Sequence, residues 1–135
     1  MMKFNDYIGK EDFEGSGFVF ITPDNLVLLL QKPNGKFSFV GGHREGSETP
    51  IETAKRECKE EIGFIPEGNA INFIKYKRTK TNTWGYSFVM KVKNTFDPKL
   101  SNEHTGFKWI SKDNIKDVNI SSAVKDIIPL LNTLV

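Results

Sequence analysis

Glu57, Glu60 and Glu61 place three carboxylates within five consecutive residues. On a helix turning about 100° per residue, Glu57 meets Glu61 at i,i+4 and Glu60 at i,i+3, so all three share one side. The like-charged Glu57–Glu61 pair costs roughly 0.2–0.5 kcal/mol, as much as an opposite pair would gain. A hard divalent cation offsets that repulsion well, because Mg²⁺ takes oxygen ligands, few carboxylates and substrate phosphates. The competing reading is a solvated polar face, since Glu52–Arg56 and Arg56–Glu60 also stand at ion-pairing spacing.

The residues before these acids add a second signal. Gly41 and Gly42 let backbone groups approach a ligand with no Cβ in the way. Glu45, Gly46 and Glu48 follow in a loop that runs into the helix start, where peptide N–H groups point at an anion. Each glycine alone reads as a plain turn; together with the acidic face they suggest a phosphate and metal site.

The stretch Gly42 to Phe64 resembles the Nudix box, which reads Gly, five residues, Glu, seven residues, then Arg-Glu-apolar-x-Glu-Glu-x-Gly-apolar. Gly42, Glu48, Arg56, Glu57, Glu60, Glu61 and Gly63 match every fixed position. Seven chance matches have a probability on the order of 10⁻⁸ per window at average residue usage. Cys58 replaces the usual Ile, Leu or Val, and Val40 stands where many relatives have Pro; neither change removes a ligand.

This resemblance implies a metal-dependent hydrolase that cleaves the diphosphate linkage of a nucleoside diphosphate joined to another moiety. The small-molecule partner would be a nucleotide, and the cofactor Mg²⁺ or Mn²⁺. Carried over, Glu57, Glu60 and Glu61 are the metal-ligand carboxylates, and the Gly41 carbonyl is a further ligand. Glu57 doubles as a base in some relatives, and Arg56 orients a carboxylate. Glu48 supports the loop or a water on the metal. Glu103, six residues before Trp109, matches a late-loop carboxylate that serves some relatives as ligand or general base; a solvated loop residue is the other reading.

Substrate choice is less legible. Lys75 to Tyr86 carries four basic residues and three aromatics, and Arg78, Lys80 and Trp84 are the substrate-binding candidates, with Gly42 and Glu48 from the box. Tyr76 and Tyr86 alternate with Ile74 and Phe88, which favours core positions for both. Phe37 and Phe39 could serve either the core or the site. The marker Pro or Tyr of relatives specific for ADP-ribose or dinucleoside polyphosphates is absent from Thr79 to Thr83, so neither subclass is assigned. Nucleoside triphosphates, nucleotide sugars and an RNA 5′ end stay open. A non-catalytic Nudix-fold domain binding nucleotide or RNA is the alternative; such domains typically lose box carboxylates that this chain keeps.

The elements that must position these groups follow from patterning. Thr49 as N-cap, Pro50 at the first helical position and Glu52 completing a capping box predict a helix over Pro50 to Ile62, ended by Gly63. Its apolar stripe is Ile51, Ala54, Cys58 and Ile62, about a third of a turn from the acids. Strands are predicted at Gly17 to Thr22, Leu26 to Gln31, Lys36 to Val40, Ile71 to Arg78, Trp84 to Val92 and Phe107 to Ile110. Gly41 to Ser47 reads as a loop, and Ser121 to Leu134 as a closing helix capped near Ser121 or Ser122. Pro23-Asp24-Asn25 and Pro33-Asn34-Gly35 read as turns. The fold class is therefore α/β (α+β), a mixed β-sheet sandwiched between helices, as the Nudix resemblance also implies.

Length and composition bound the rest. The 135 residues suit one domain, and 38% hydrophobic content can fill a core. A formal net charge of +2 does not mark a nucleic-acid binder. One cysteine and two histidines exclude a disulfide framework and a histidine-built metal centre. Met1 to Phe13 has no long apolar core and does not read as a signal peptide. Leu26 to Leu30, the longest apolar run, is too short to span a bilayer. A cytoplasmic chain with no membrane partner is expected; nothing in the sequence sets the oligomeric state, and a homodimer is left open.

Overall fold

The computed structural model describes residues 12–134, the side chain of Ile71 excepted. The reading of Met1 to Phe13 as free of a targeting segment therefore falls almost wholly outside the described residues.

Alternating apolar side chains build the centre. In β1 (Gly15–Ile21) and β2 (Leu26–Gln31), Phe18, Phe20, Leu28 and Leu30 point to one face of the sheet, and Val19, Ile21, Val27 and Leu29 to the other. Every residue of β1 is buried, as expected for a strand covered on both sides. The first face packs under Ala54, Cys58 and Ile62 of helix α1 (Pro50–Ile62). The second packs under Ile115 of a short 3₁₀ helix (Lys112–Asp117) and Val124, Ile127 and Leu131 of helix α2 (Ser122–Leu134). The fold is thus a mixed sheet between helices, as the sequence predicts.

Among the described residues, seven strands make up that sheet. β1 lies parallel to β6 (Thr83–Lys91) along its whole length, and β6 pairs antiparallel with β5 (Asn69–Arg78). On its other edge β1 meets β2 at Ile21–Val27 and β4 (Val40–His43) from Gly15 to Phe18. β2 in turn pairs with β3 (Phe37–Ser38) and β7 (Gly106–Ser111).

The one predicted strand that the structure divides is Lys36 to Val40. Phe37–Ser38 bonds to β2, whereas Val40 onward bonds to β1, so the chain changes partner at Phe39. Consequently Gly41, Gly42 and His43, expected in a loop, are strand residues held by a ladder to Gly15, Ser16 and Gly17. Glycine disfavours strands intrinsically, but pairing to a buried neighbour overrides propensity. This glycine segment therefore starts on a fixed strand. The 3₁₀ helix has no counterpart in the sequence reading.

Helix α1 forms as its capping residues dictate. Thr49 accepts the Glu52 N–H at 3.3 Å, and Glu52 accepts the Thr49 N–H at 2.9 Å, closing the capping box. Gly63 ends the helix at φ 87°, a left-handed turn that favours glycine. Val124 N–H lies 3.5 Å from Ser121 Oγ, which makes Ser121 the cap of α2. Among the described residues no helix is long and apolar enough to cross a membrane.

Candidate active site

Arg56 organises the acidic face. Its Nε donates to Glu48 Oε2 at 2.8 Å and Nη2 to Glu48 Oε1 at 3.1 Å, a bidentate clasp. Nη2 also donates to the His43 carbonyl at 2.7 Å, tying α1 to the end of β4. The remaining nitrogen, Nη1, lies 2.8 Å from Glu45 Oε2, 2.9 Å from Glu57 Oε1 and 3.2 Å from both oxygens of Glu60. Two hydrogens on Nη1 cannot fully serve three carboxylates. One guanidinium thus faces four acids, and negative charge is left over.

That surplus is uneven. Arg56 first, with the Glu45 amide and the Thr53 hydroxyl, holds the Glu48 carboxyl down to about 2, so Glu48 is a fixed ionised brace. Glu57 moves the opposite way: burial raises its pKa, and Glu60 and Glu103 add to the rise against the pull of Arg56. Glu61 is pushed up to about 8, chiefly by burial and further by Glu57 and Glu103, while the Gly41 N–H and Lys32 oppose this. Glu60 is more exposed, its side chain 56% accessible.

Strand β4 meets this face at atomic contact. The Gly41 N–H donates to Glu61 Oε1 at 2.7 Å. A Cβ on Gly42 would fall 2.3 Å from the Glu57 carboxyl carbon, so Glu57 occupies the space that only glycine leaves open.

The acids and glycines of this face, though not Arg56 or Glu48, line a cavity of about 940 Å³. Gly41, Gly42, Glu57, Glu60, Glu61 and Glu103 contribute to it, as do Arg78 and Lys80 from the β5–β6 side. Arg78 is anchored by Glu14 at 2.9 Å, and Glu14 is itself held by the Thr83 hydroxyl. Glu48 sits behind Arg56. Trp84 is not among the described residues lining the cavity; it is 37% exposed, with the Lys75 and Lys77 ammonium groups 4.6 and 4.8 Å from its ring centre. Tyr76, Tyr86, Phe37 and Phe39 are all buried in the core, and Tyr76, Tyr86 and Phe39 also reach the cavity wall.

The profile of the NUDIX domain matches residues 14–131. The chain belongs to the Nudix hydrolase family. A relative, the bis(5′-nucleosyl)-tetraphosphatase [asymmetrical] of Sus scrofa, is 32% identical over 97 residues, covering 64% of each protein; the chain thus spans under two thirds of that relative's length. Among solved structures, a C. elegans Ap4A hydrolase binary complex superposes at TM-score 0.71 with 20% identity, over 89% of this chain and 96% of that one. A Nudix hydrolase from M. smegmatis superposes at 0.72 with 16% identity, over 90% and 84%. These structures share the fold.

Within this Nudix domain the donor set suits a hard divalent cation. It is all oxygen, burial disfavours the charge of two of its carboxylates until a cation offsets it, and a glycine makes room for one of them. Among the described residues no three acidic, histidine or cysteine side chains already converge on one point, because Arg56 draws Glu57 and Glu60 to itself.

Several groups at this cavity escaped the sequence reading. Lys32 and Lys36 line it, as does His104, whose buried ring stands 3.5 Å from Glu61. Lone lysines and a lone histidine give no spacing signal; only the fold brings them here.

Proposed function

We propose that this chain is a metal-dependent hydrolase of phosphorus anhydrides in nucleotides, with dinucleoside polyphosphates the first substrate class to test. The observation carrying this reading is the mixed lining of one cavity, where the buried acids Glu57 and Glu61 share the space with Arg78, Lys80, Lys32 and Lys36. The similarity to a tetraphosphatase favours a long phosphate chain, although the sequence lacks the family's marker residue for that subclass.

Glu57, Glu60 and Glu61, with the Gly41 carbonyl, would hold the cation, and Glu57 and Glu60 would exchange Arg56 for it. When bound, a divalent ion would supply charge neutralisation at the phosphate oxygens and make a water more acidic. Arg78 and the lysines bind the phosphates beyond the scissile anhydride. Attack of water on one phosphorus breaks its bond to the bridging oxygen, and the water proton passes to a carboxylate. Glu57, with its raised proton affinity, or Glu103, which lines the same cavity, would accept it.

The test is a substrate panel with Mg²⁺ and Mn²⁺: a bis(5′-nucleosyl) tetraphosphate, nucleoside triphosphates, nucleotide sugars, ADP-ribose and a 5′-triphosphorylated RNA, with products read by mass. Metal-dependent cleavage at an anhydride is expected, fastest for the tetraphosphate. Nucleotide binding with no turnover of any substrate would instead make the chain a binding domain.

A further inference from the structure

The His104 ring is buried at the site, its side chain 2% exposed, and neither ring nitrogen has a hydrogen-bond partner among the described residues. An unpartnered buried polar group costs about 1–3 kcal/mol and calls for a physical reason. The geometry supplies one. Nε2 stands 3.5 Å from Glu61 Oε2, while the Gly41 N–H holds the other oxygen, Oε1.

The loop carrying His104 is pinned to the end of α1 so that this approach is reproducible. Lys99 N–H donates to the Ile62 carbonyl at 3.0 Å and Ser101 N–H to the Glu61 carbonyl at 3.3 Å. His104 N–H then bonds back to the Ser101 carbonyl, and Thr105 N–H reaches the Gln31 carbonyl of β2 at 2.8 Å. The loop thus bridges α1 to the sheet with His104 between its anchors. A neutral imidazole has one donor nitrogen and one acceptor nitrogen.

We propose that His104 is a positioning residue for Glu61: its Nε2–H closes onto Glu61 Oε2, clamping between two N–H donors the carboxylate whose Oε1 Gly41 holds. In this tautomer Nδ1 is a bare acceptor, so the only ring proton is used. Glu61 becomes the fixed carboxylate of the cluster, whereas Glu57 and Glu60 are free to turn from Arg56. The inference rests on Glu61 belonging to the proposed active site.

Imidazole nitrogen shifts of the ¹⁵N-labelled, metal-free wild-type protein test the geometry alone. At alkaline pH the Nε2–H tautomer is expected; Nδ1–H would set a lone pair against the carboxylate and overturn the proposal. His104→Phe and His104→Gln then test the consequence. Removing an outer hydrogen-bond partner typically costs 10–100-fold in metal affinity or activity, so H104F should lose about that in Mn²⁺ affinity and kcat with KM little changed. H104Q, which keeps an N–H at similar reach, should recover most of it. H104F with wild-type Mn²⁺ affinity, or H104Q no better than H104F, would overturn the proposal. If the wild type cleaves no nucleotide but shows the Nε2–H tautomer and weaker Mn²⁺ binding in H104F, the hydrolase reading fails and the clamp stands.

Discussion

Glu60 and Glu61 are sequence neighbours with different surroundings. Glu60 is exposed and shared with Arg56, whereas Glu61 is buried against the Gly41 amide. Both are proposed ligands, so Glu60→Gln and Glu61→Gln should each lower kcat by orders of magnitude while circular dichroism and unfolding stay close to wild type; full activity in either would remove that residue from the site. Glu57→Gln should cost about 10²–10⁴-fold in kcat if Glu57 is the base. Titration separates the buried pair from the rest. The folded protein holds a proton on Glu61 up to about pH 8, whereas the unfolded chain releases it near 4.5, and Glu57 shifts in the same direction. The native state binds more protons in that window, so stability falls as pH rises through it. His104 acts oppositely below its ordinary value of 6.5, because burial lowers its pKa. Urea unfolding of metal-free protein between pH 6.5 and 8 should therefore report the acids, with stability decreasing and Mg²⁺ flattening the decrease. A rise over that range would contradict the burial of Glu61. The three acids were legible because their spacing is local. His104 was not, because its role comes from a loop folding back across 43 positions of sequence onto Glu61.

At the scale of elements, α1 and β4 make separable contributions. Thr49→Ala removes a capping oxygen and should cost about 1 kcal/mol in urea unfolding with the chemistry little affected. Gly42→Ala inserts a Cβ 2.3 Å from the Glu57 carboxyl, at the mobile end of a side chain. It should displace Glu57, reducing kcat severely with a smaller loss of stability; an active Gly42→Ala would mean that Glu57 need not lie against β4. The caps, the apolar stripe and the terminating glycine of α1 were all readable in advance, since each acts within one or two turns. β4 was not: two adjacent glycines carry no strand signal, and pairing with β1, some 25 residues earlier in the chain, decides their conformation.

Across the whole molecule, the period-2 alternation of β1 and β2 fixes two cores, and those cores fix which face carries chemistry. One face carries α1 with its acids, and the cavity they line is completed by Glu103 and His104 beside them, by β5 and by the start of α2. Strand order was beyond sequence reasoning, because the parallel pairing of β1 with β6 joins segments about 70 residues apart. That pairing carries Arg78 and Lys80 to the acids and leaves Trp84 beneath two lysines. The reading stands or falls on whether this assembly binds a cation. Manganese titration followed by electron paramagnetic resonance measures that directly, since bound Mn²⁺ loses the sharp spectrum of the free ion. Saturable binding is expected in the wild type, strongly weakened in Glu57→Gln and Glu61→Gln. A wild-type titration that follows the protein-free control, or variants that bind as the wild type does, would contradict the account.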